Sequence, residues 1–242
     1  MIEFKKIIKR FGDRTVLNGL SAVIREGEIV FILGTSGTGK SVLLKNLVGL
    51  LTPDEGEIWI DGQEVSKFSE EEYLPIRKKC GMVFQHPALF DSLTIFENVA
   101  FGLRRHYDYS EEVIREKVVK SLRLVHLKDV EEKLPAQISY GMQKRVSLAR
   151  TIALDPKILL FDEPTTGLDP VTTTAVNQLI LDLSRTLKTT SIVVSHDMNC
   201  ALSIADRIIV LDKGQIVAMG TPAELKTSQV PLVQDFLAEV LA

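Results

Sequence analysis

Residues 34 to 41 read GTSGTGKS, between EIVFIL (28–33) and VLLKNLVGL (42–50). The run before it is almost wholly apolar, as a strand buried on both faces of a parallel sheet must be. The run after it carries apolar residues three and four apart, which predicts a helix starting near Gly39. Between the two, all eight positions of the phosphate-loop pattern G-x-x-x-x-G-K-[ST] are filled. The residue types explain the chemistry. Gly34, Gly37 and Gly39 let backbone N–H groups along Thr35, Ser36, Thr38 and Val42 curl around phosphates. Lys40 supplies a cation for the β- and γ-phosphates, Ser41 a hydroxyl for Mg²⁺, and the helix N-terminus its positive end.

Outward from this loop, alternation in Ile2 to Ile8, VLNGL, GEIWIDG and CGMVFQ predicts strands, and KILLFD, TSIVVSH and DRIIVLD predict three more. Helical patterns follow Pro170 and His196, and DKGQ predicts a hairpin turn before IVAMG. From about Pro87 to Leu154 the pattern turns helical, in TIFENVAFGL, EEVIREKVVKSLRLV and the segment from Gly141. The expectation is an α/β core, residues 1–86 and 155–228, interrupted by a helical insertion at 87–154 and closed by a short helix at 229–242.

With 45% hydrophobic residues the chain can bury a real core, and a net charge of -3 without a basic stripe argues against nucleic acid as a partner. Cys80 and Cys200 stand far apart in apolar surroundings, so buried free thiols and a reducing setting are expected. No apolar run approaches the ~18 residues of a membrane span. Action at a membrane would need an anchor elsewhere.

KILLFDEP delivers two adjacent carboxylates at a strand end. With the phosphate loop present, Asp162 is expected to hold Mg²⁺ through water and Glu163 to act as general base toward an attacking water. Taken alone, such a pair is as often solvated punctuation. Gln85 and His196 also end apolar strand runs: the amide of Gln85 would sit near Mg²⁺, and His196 would reach the γ-phosphate. Their alternatives are a loop cap and a structural histidine. His86, His106 and His126 have no paired ligands nearby.

In this order and spacing the motifs resemble those of the nucleotide-binding subunits of ATP-binding cassette (ABC) transporters, across essentially the whole chain. The resemblance implies a P-loop NTPase, RecA-like α/β core with an N-terminal antiparallel β-subdomain and an inserted α-helical subdomain, an ATPase using ATP and Mg²⁺. Phe11 lies where that family places an aromatic that stacks on adenine; core packing is the competing reading. ISYGM (138–142) stands where the family has LSGGQ. Ser139 and Gly141 would grip the γ-phosphate held by a second copy of the chain, in a head-to-tail ATP sandwich, and Asp169 would communicate across the pair. Tyr140 replaces a glycine, so it must either take a compatible backbone angle with its ring outward or shift the loop, because a bulky residue at positive φ is strained.

Met142 replaces the usual glutamine, and such signatures resemble those of lipid-transporting Mce/Mla-type ABC ATPases. FQHPALFDSLTIFENVAFGL and SQVPLVQDFL resemble that branch too. KLPAQIS lacks the acidic-glycine element of exporters. The resemblance implies an integral membrane permease and an Mce-type lipid-binding protein as partners, with the chain peripheral at the cytoplasmic side of the inner membrane. PALFDSLTIFENV would offer the permease an apolar groove or simply form the insertion's own core, whereas EEVIREKVVK reads as a solvated helix face. A second reading changes the cargo to a small polar solute such as an amino acid. A third, a soluble ABC ATPase acting on ribosomes or DNA, fits poorly with the acidic charge and the lack of a coiled-coil insertion.

Overall fold

The computed structural model, which describes residues 1–241, divides its strands between two sheets. Along the chain, β1 (Ile2–Phe11) and β2 (Arg14–Ile24) form a hairpin, and β3 (Ile29–Leu33) leads into α1 (Lys40–Leu47). Then come β4 (Glu55–Ile60), β5 (Gln63–Glu64), α2 (Glu70–Lys79) and β6 (Cys80–Val83). Three helices follow, α3 (Ile95–His106), α4 (Glu111–Leu124) and α5 (Tyr140–Ile152), with a 3₁₀ turn at Pro135–Gln137 before the last. The remainder is β7 (Ile158–Asp162), α6 (Pro170–Leu187), β8 (Thr190–Ser195), α7 (Met198–Ile204), β9 (Arg207–Asp212), β10 (Gln215–Gly220), α8 (Pro222–Lys226) and α9 (Pro231–Leu241).

The larger sheet runs β10, β9, β3, β8, β7, β6, parallel except for the edge strand β10. The smaller one, β2, β1, β4, β5, is antiparallel. Strand β3 shows how the sequence fixes the layers. All five of its residues are buried, but alternately: Ile29, Phe31 and Leu33 enter a core shared with α3 to α7 and α9, while Val30 and Ile32 enter a second core with α1, α2 and the antiparallel sheet. The period of two sends successive side chains to opposite faces, and burial on both is why the run has no polar residue.

In PALFDSLTIFENV the two sequence readings divide the residues between them. Ile95 and Val99 are fully buried in the larger core, whereas Phe90 is exposed and packs against the exposed Phe101 of α3, with centroids 4.8 Å apart. Asn98 is also fully buried; its amide donates to the carbonyls of Phe90, Leu93 and Thr94 at 3.0 to 3.1 Å and accepts from Phe90 N at 2.8 Å, pinning the loop before α3.

Helix α2 has no counterpart in the sequence reading. Only Tyr73 and Ile76 are buried along it and Pro75 lies inside, so apolar periodicity is weak. Its signal is the capping box: Ser69 accepts from Glu72 N, and the Glu72 carboxylate accepts from Ser69 N at 2.8 Å.

Candidate nucleotide site

Strand register brings the sequence motifs to one edge. Leu33 pairs with Ser195, Asp162 with Val194, and Phe161 with Val83, so β3, β8, β7 and β6 end level with one another. The residues just beyond them are Gly34, His196, Glu163 and the segment to Gln85. The carboxyl ends of parallel strands are where open α/β sheets bind ligands. A cavity of about 900 Å³ lies there, bounded by the 34–41 loop, Gln85, Asp162, Glu163 and His196, with Phe11 at the tip of the β1–β2 hairpin.

Thr35, Ser36, Gly37, Gly39, Lys40, Ser41 and Val42 all face this cavity, while Gly34 and Thr38 support the loop from beneath. A β-carbon at Gly34 would meet Leu211 O at 2.6 Å, and Thr38 Oγ1 donates to Thr35 O at 2.9 Å. Gly39 has φ +102, a backbone angle open to glycine, and caps α1 without a side-chain hydrogen bond. That leaves the first N–H groups of the helix for an anion.

Lys40 is buried, and its ammonium donates to Gly34 O at 2.7 Å and Thr35 O at 3.1 Å. Burial pushes its pKa below that of an ordinary amine, opposed by the nearby carboxylates of Glu163 and Asp162. Ser41 Oγ donates to Asp162 Oδ1 at 2.9 Å. Among the described residues no cluster of three or more His, Cys, Asp or Glu could hold a metal by itself. One hydroxyl and one carboxylate nevertheless fit Mg²⁺, which keeps waters and shares its shell with substrate phosphates.

Glu163 stands at φ +49, a left-handed angle costly for a residue with a side chain. Its amide donates to Val194 O at 3.0 Å, which locks the turn leaving β7. Its Oε1 lies 3.8 Å from Lys40 Nζ, and Oε2 lies 2.8 Å from His196 Nδ1, hydrogen-bond distance for a proton on the imidazole. The structure thus joins lysine, glutamate and histidine around one carboxylate.

Ser139, Gly141 and Met142 are not on this cavity. Ser139 caps α5, its hydroxyl accepting from Met142 N at 3.3 Å, and Met142 is half-buried against the larger core. Tyr140 is the first helical residue and is absent from the positive-φ positions, so the strained alternative does not arise; its ring is turned outward and 38% exposed. Gly141 packs against the start of α6, where a β-carbon would come within 3.1 Å of Thr172 Cγ2. Asp169 caps α6, accepting from Val171 N and Thr172 N.

Phe11 is 47% exposed and belongs to neither core, which removes the packing alternative. His86, His106 and His126 are surface residues; Cys200 is buried and Cys80 half-buried, each a free thiol. Sequence reasoning missed Arg14, Val16, Thr166, Phe236 and Glu239, which also line the cavity. Arg14 sits three residues after Phe11 on the same hairpin and reaches Gly37 O at 3.5 Å, a signal that the loop around Phe11 could have given. The approach of α9 had none. No helix among the described residues is long and apolar enough to cross a membrane.

Known proteins are similar to this chain in sequence and in fold. The family model for ABC transporters matches residues 17–166. The intermembrane phospholipid transport system ATP-binding protein MlaF of Haemophilus influenzae is 42% identical over 98% of this chain and 90% of its own length. The probable ribonucleotide transport ATP-binding protein mkl of Mycobacterium leprae is 43% identical over 98% of this chain and 68% of its own. Among solved structures, the ATP-binding cassette MJ0796, a dimer bound to ADP and phosphate, superposes with a TM-score of 0.83 at 35% identity, covering 92% of this chain and 99% of that one. With the phosphate loop, the paired carboxylates and the histidine gathered at the same sheet edge, the chain belongs to the ABC transporter family, as its ATP-hydrolysing cassette.

Proposed function

We propose that the chain powers a membrane permease that moves phospholipid, working as a head-to-tail pair of identical subunits. The observation that carries the pairing is the division of the site. The cavity gathers residues that can bind ATP, yet Ser139 and Gly141 lie off it, on an exposed helix N-terminus whose free N–H groups suit an anion. A second copy, turned head to tail, would bring that terminus to the phosphates. The 42% identity to MlaF over nearly the whole chain supports phospholipid as the cargo.

In this reading Phe11 stacks on adenine, Lys40 and the N–H groups of residues 34–42 hold the phosphates, and Ser41, Asp162 and Gln85 hold Mg²⁺. The metal, when bound, neutralises charge developing on the transferred phosphoryl group. Glu163 accepts a proton from the attacking water, and His196 fixes the Glu163 carboxylate and meets the γ-phosphate. Bound ATP holds the pair closed and hydrolysis releases it, which gives the permease two states. The core at 1–86 and 155–228 acts as the engine and the helices at 87–154 as the transmitting unit, with Phe84, Phe90 and Phe101 exposed where a permease helix would dock. Membrane attachment is then peripheral, through the permease at the cytoplasmic face, with an Mce-type lipid-binding protein as a further partner.

The similarity to a protein named for ribonucleotide transport favours a second reading, the same engine with a polar cargo. Affinity purification of the tagged chain from gently solubilised membranes separates them. A permease with an Mce-type protein and phospholipid supports the first reading, a permease with a solute-binding protein the second. A purely soluble catch overturns both.

A further inference from the structure

Tyr140 is left over by that mechanism. Its neighbours Ser139 and Gly141 would carry the phosphate contacts, and the ring between them lies near three other groups. The hydroxyl lies 3.4 Å from His86 Nδ1, in the loop that also carries Gln85. Ring atom Cε1 flanks Gly167, where a β-carbon would lie 3.8 Å away, in the loop running from Glu163 to Asp169. One turn along α5, Lys144 Nζ stands 5.5 Å from the ring centroid, within cation–π range.

Lys144 is itself anchored. It is 6% exposed, and its ammonium donates to Pro164 O at 2.8 Å and Thr166 O at 2.9 Å, carbonyls of that same 163–169 loop. The face of α5 bearing Tyr140 and Lys144 is therefore tied to the segment that follows the catalytic-strand carboxylates, and Tyr140 adds a tie to the loop after β6. A glycine at 140 makes none of these contacts and leaves a first turn with more freedom to lose on ordering.

We propose that Tyr140 is a positioning residue. It clamps the N-terminus of α5 to the 85–86 and 163–169 loops, so that the Ser139 hydroxyl and the Gly141 N–H are held at a fixed angle before a second copy's nucleotide meets them. The clamp rests on the head-to-tail reading, and it acts on closure of the pair through pre-organisation of the helix terminus. Loss of the clamp lets α5 fray and rock against the loops, so more ATP is needed to hold the pair closed.

The test uses the full chain with Tyr140→Phe, His86→Ala, their combination, and Tyr140→Gly, read by ATPase titrations and by binding of a fluorescent ATP analogue to the open, monomeric chain. Tyr140→Phe and His86→Ala each raise the half-saturating ATP concentration about two- to five-fold, the scale of one exposed hydrogen bond. The combination raises it no further than the larger single effect, because both remove the same contact. Tyr140→Gly raises it about ten-fold or more, with a smaller fall in kcat, and analogue binding to the monomer stays the same. Unchanged titrations in Tyr140→Phe and Tyr140→Gly, or additive effects in the combination, overturn the clamp. A wild-type chain that hydrolyses ATP without pairing overturns the head-to-tail reading itself, and the clamp with it.

Discussion

Replacing Lys40 by methionine separates what the lysine does for ATP from what it does for the fold. The side chain is 7% exposed, donates to two loop carbonyls, and lies 3.8 Å from Glu163. Removing the ammonium forfeits two hydrogen bonds from a charged donor, about 1.5–3 kcal/mol each. It also removes a buried charge whose effective desolvation penalty is several kcal/mol, and methionine fills similar space. Glu163 keeps His196 at 2.8 Å and the Thr166 hydroxyl at 3.3 Å. The opposing terms leave nucleotide-free stability within about 2 kcal/mol of wild type, a melting-temperature shift under ~8 °C for a chain of this length. ATP has no such compensation. Loss of one partner from a desolvated charge contact costs about 2–5 kcal/mol, or roughly thirty- to several-thousand-fold in Kd. Thermal denaturation without nucleotide and titration calorimetry with ATP measure the two halves. A melting temperature lowered by more than ~15 °C with ATP affinity intact would show that Lys40 is a structural strut and refute the reasoning.

Phe11→Ala raises half-saturating ATP by roughly two- to twelve-fold, the scale of aromatic stacking at about 0.5–1.5 kcal/mol, without lowering the melting temperature, because the ring is 47% exposed. A large thermal destabilisation there would point to packing instead. Gly39→Ala abolishes ATP binding, since the residue sits at φ +102 and its β-carbon would lie 2.7 Å from Leu17 Cδ2 and 2.9 Å from Val16 O; retained affinity in a binding titration contradicts this. Burial pushes the thiols of Cys80 and Cys200 up to about 12, so neither forms appreciable thiolate near pH 8 and neither is alkylated by iodoacetamide in the native chain. Rapid labelling of either, read by mass spectrometry, contradicts the burial.

Why some of this was legible in the sequence and some was not follows from chain distance and pattern. Strand β3, the phosphate loop and α1 are contiguous, and each is fixed by its own residues: a run buried on two faces, glycines where the backbone must curl, and helical spacing after them. Asp162, Glu163, Gln85 and His196 were legible because each ends an apolar run, and parallel strands that start together end together. Helix α2 was hidden because it buries two side chains and contains Pro75, leaving Ser69 and Glu72 as its only mark. Contacts between distant segments leave no local pattern. Phe236 and Glu239 reach the cavity from α9, and Tyr140 meets His86 across 54 positions. Of the two outcomes open at Tyr140, a compatible backbone angle with the ring outward or a shifted loop, the residue takes the first, opening a regular helix where any side chain is accommodated.

In the proposed function Glu163 takes the proton from water while a paired chain completes the site. Glu163→Gln keeps the shape and the hydrogen-bonding reach but removes the base. Size-exclusion chromatography with light scattering, run with MgATP alongside an ATPase assay, tests it most directly. The variant is expected to bind ATP, lose turnover by at least about a hundred-fold, the scale of general-base catalysis, and accumulate as an ATP-dependent dimer. Near-normal hydrolysis, or a chain that stays monomeric with ATP bound, would contradict it.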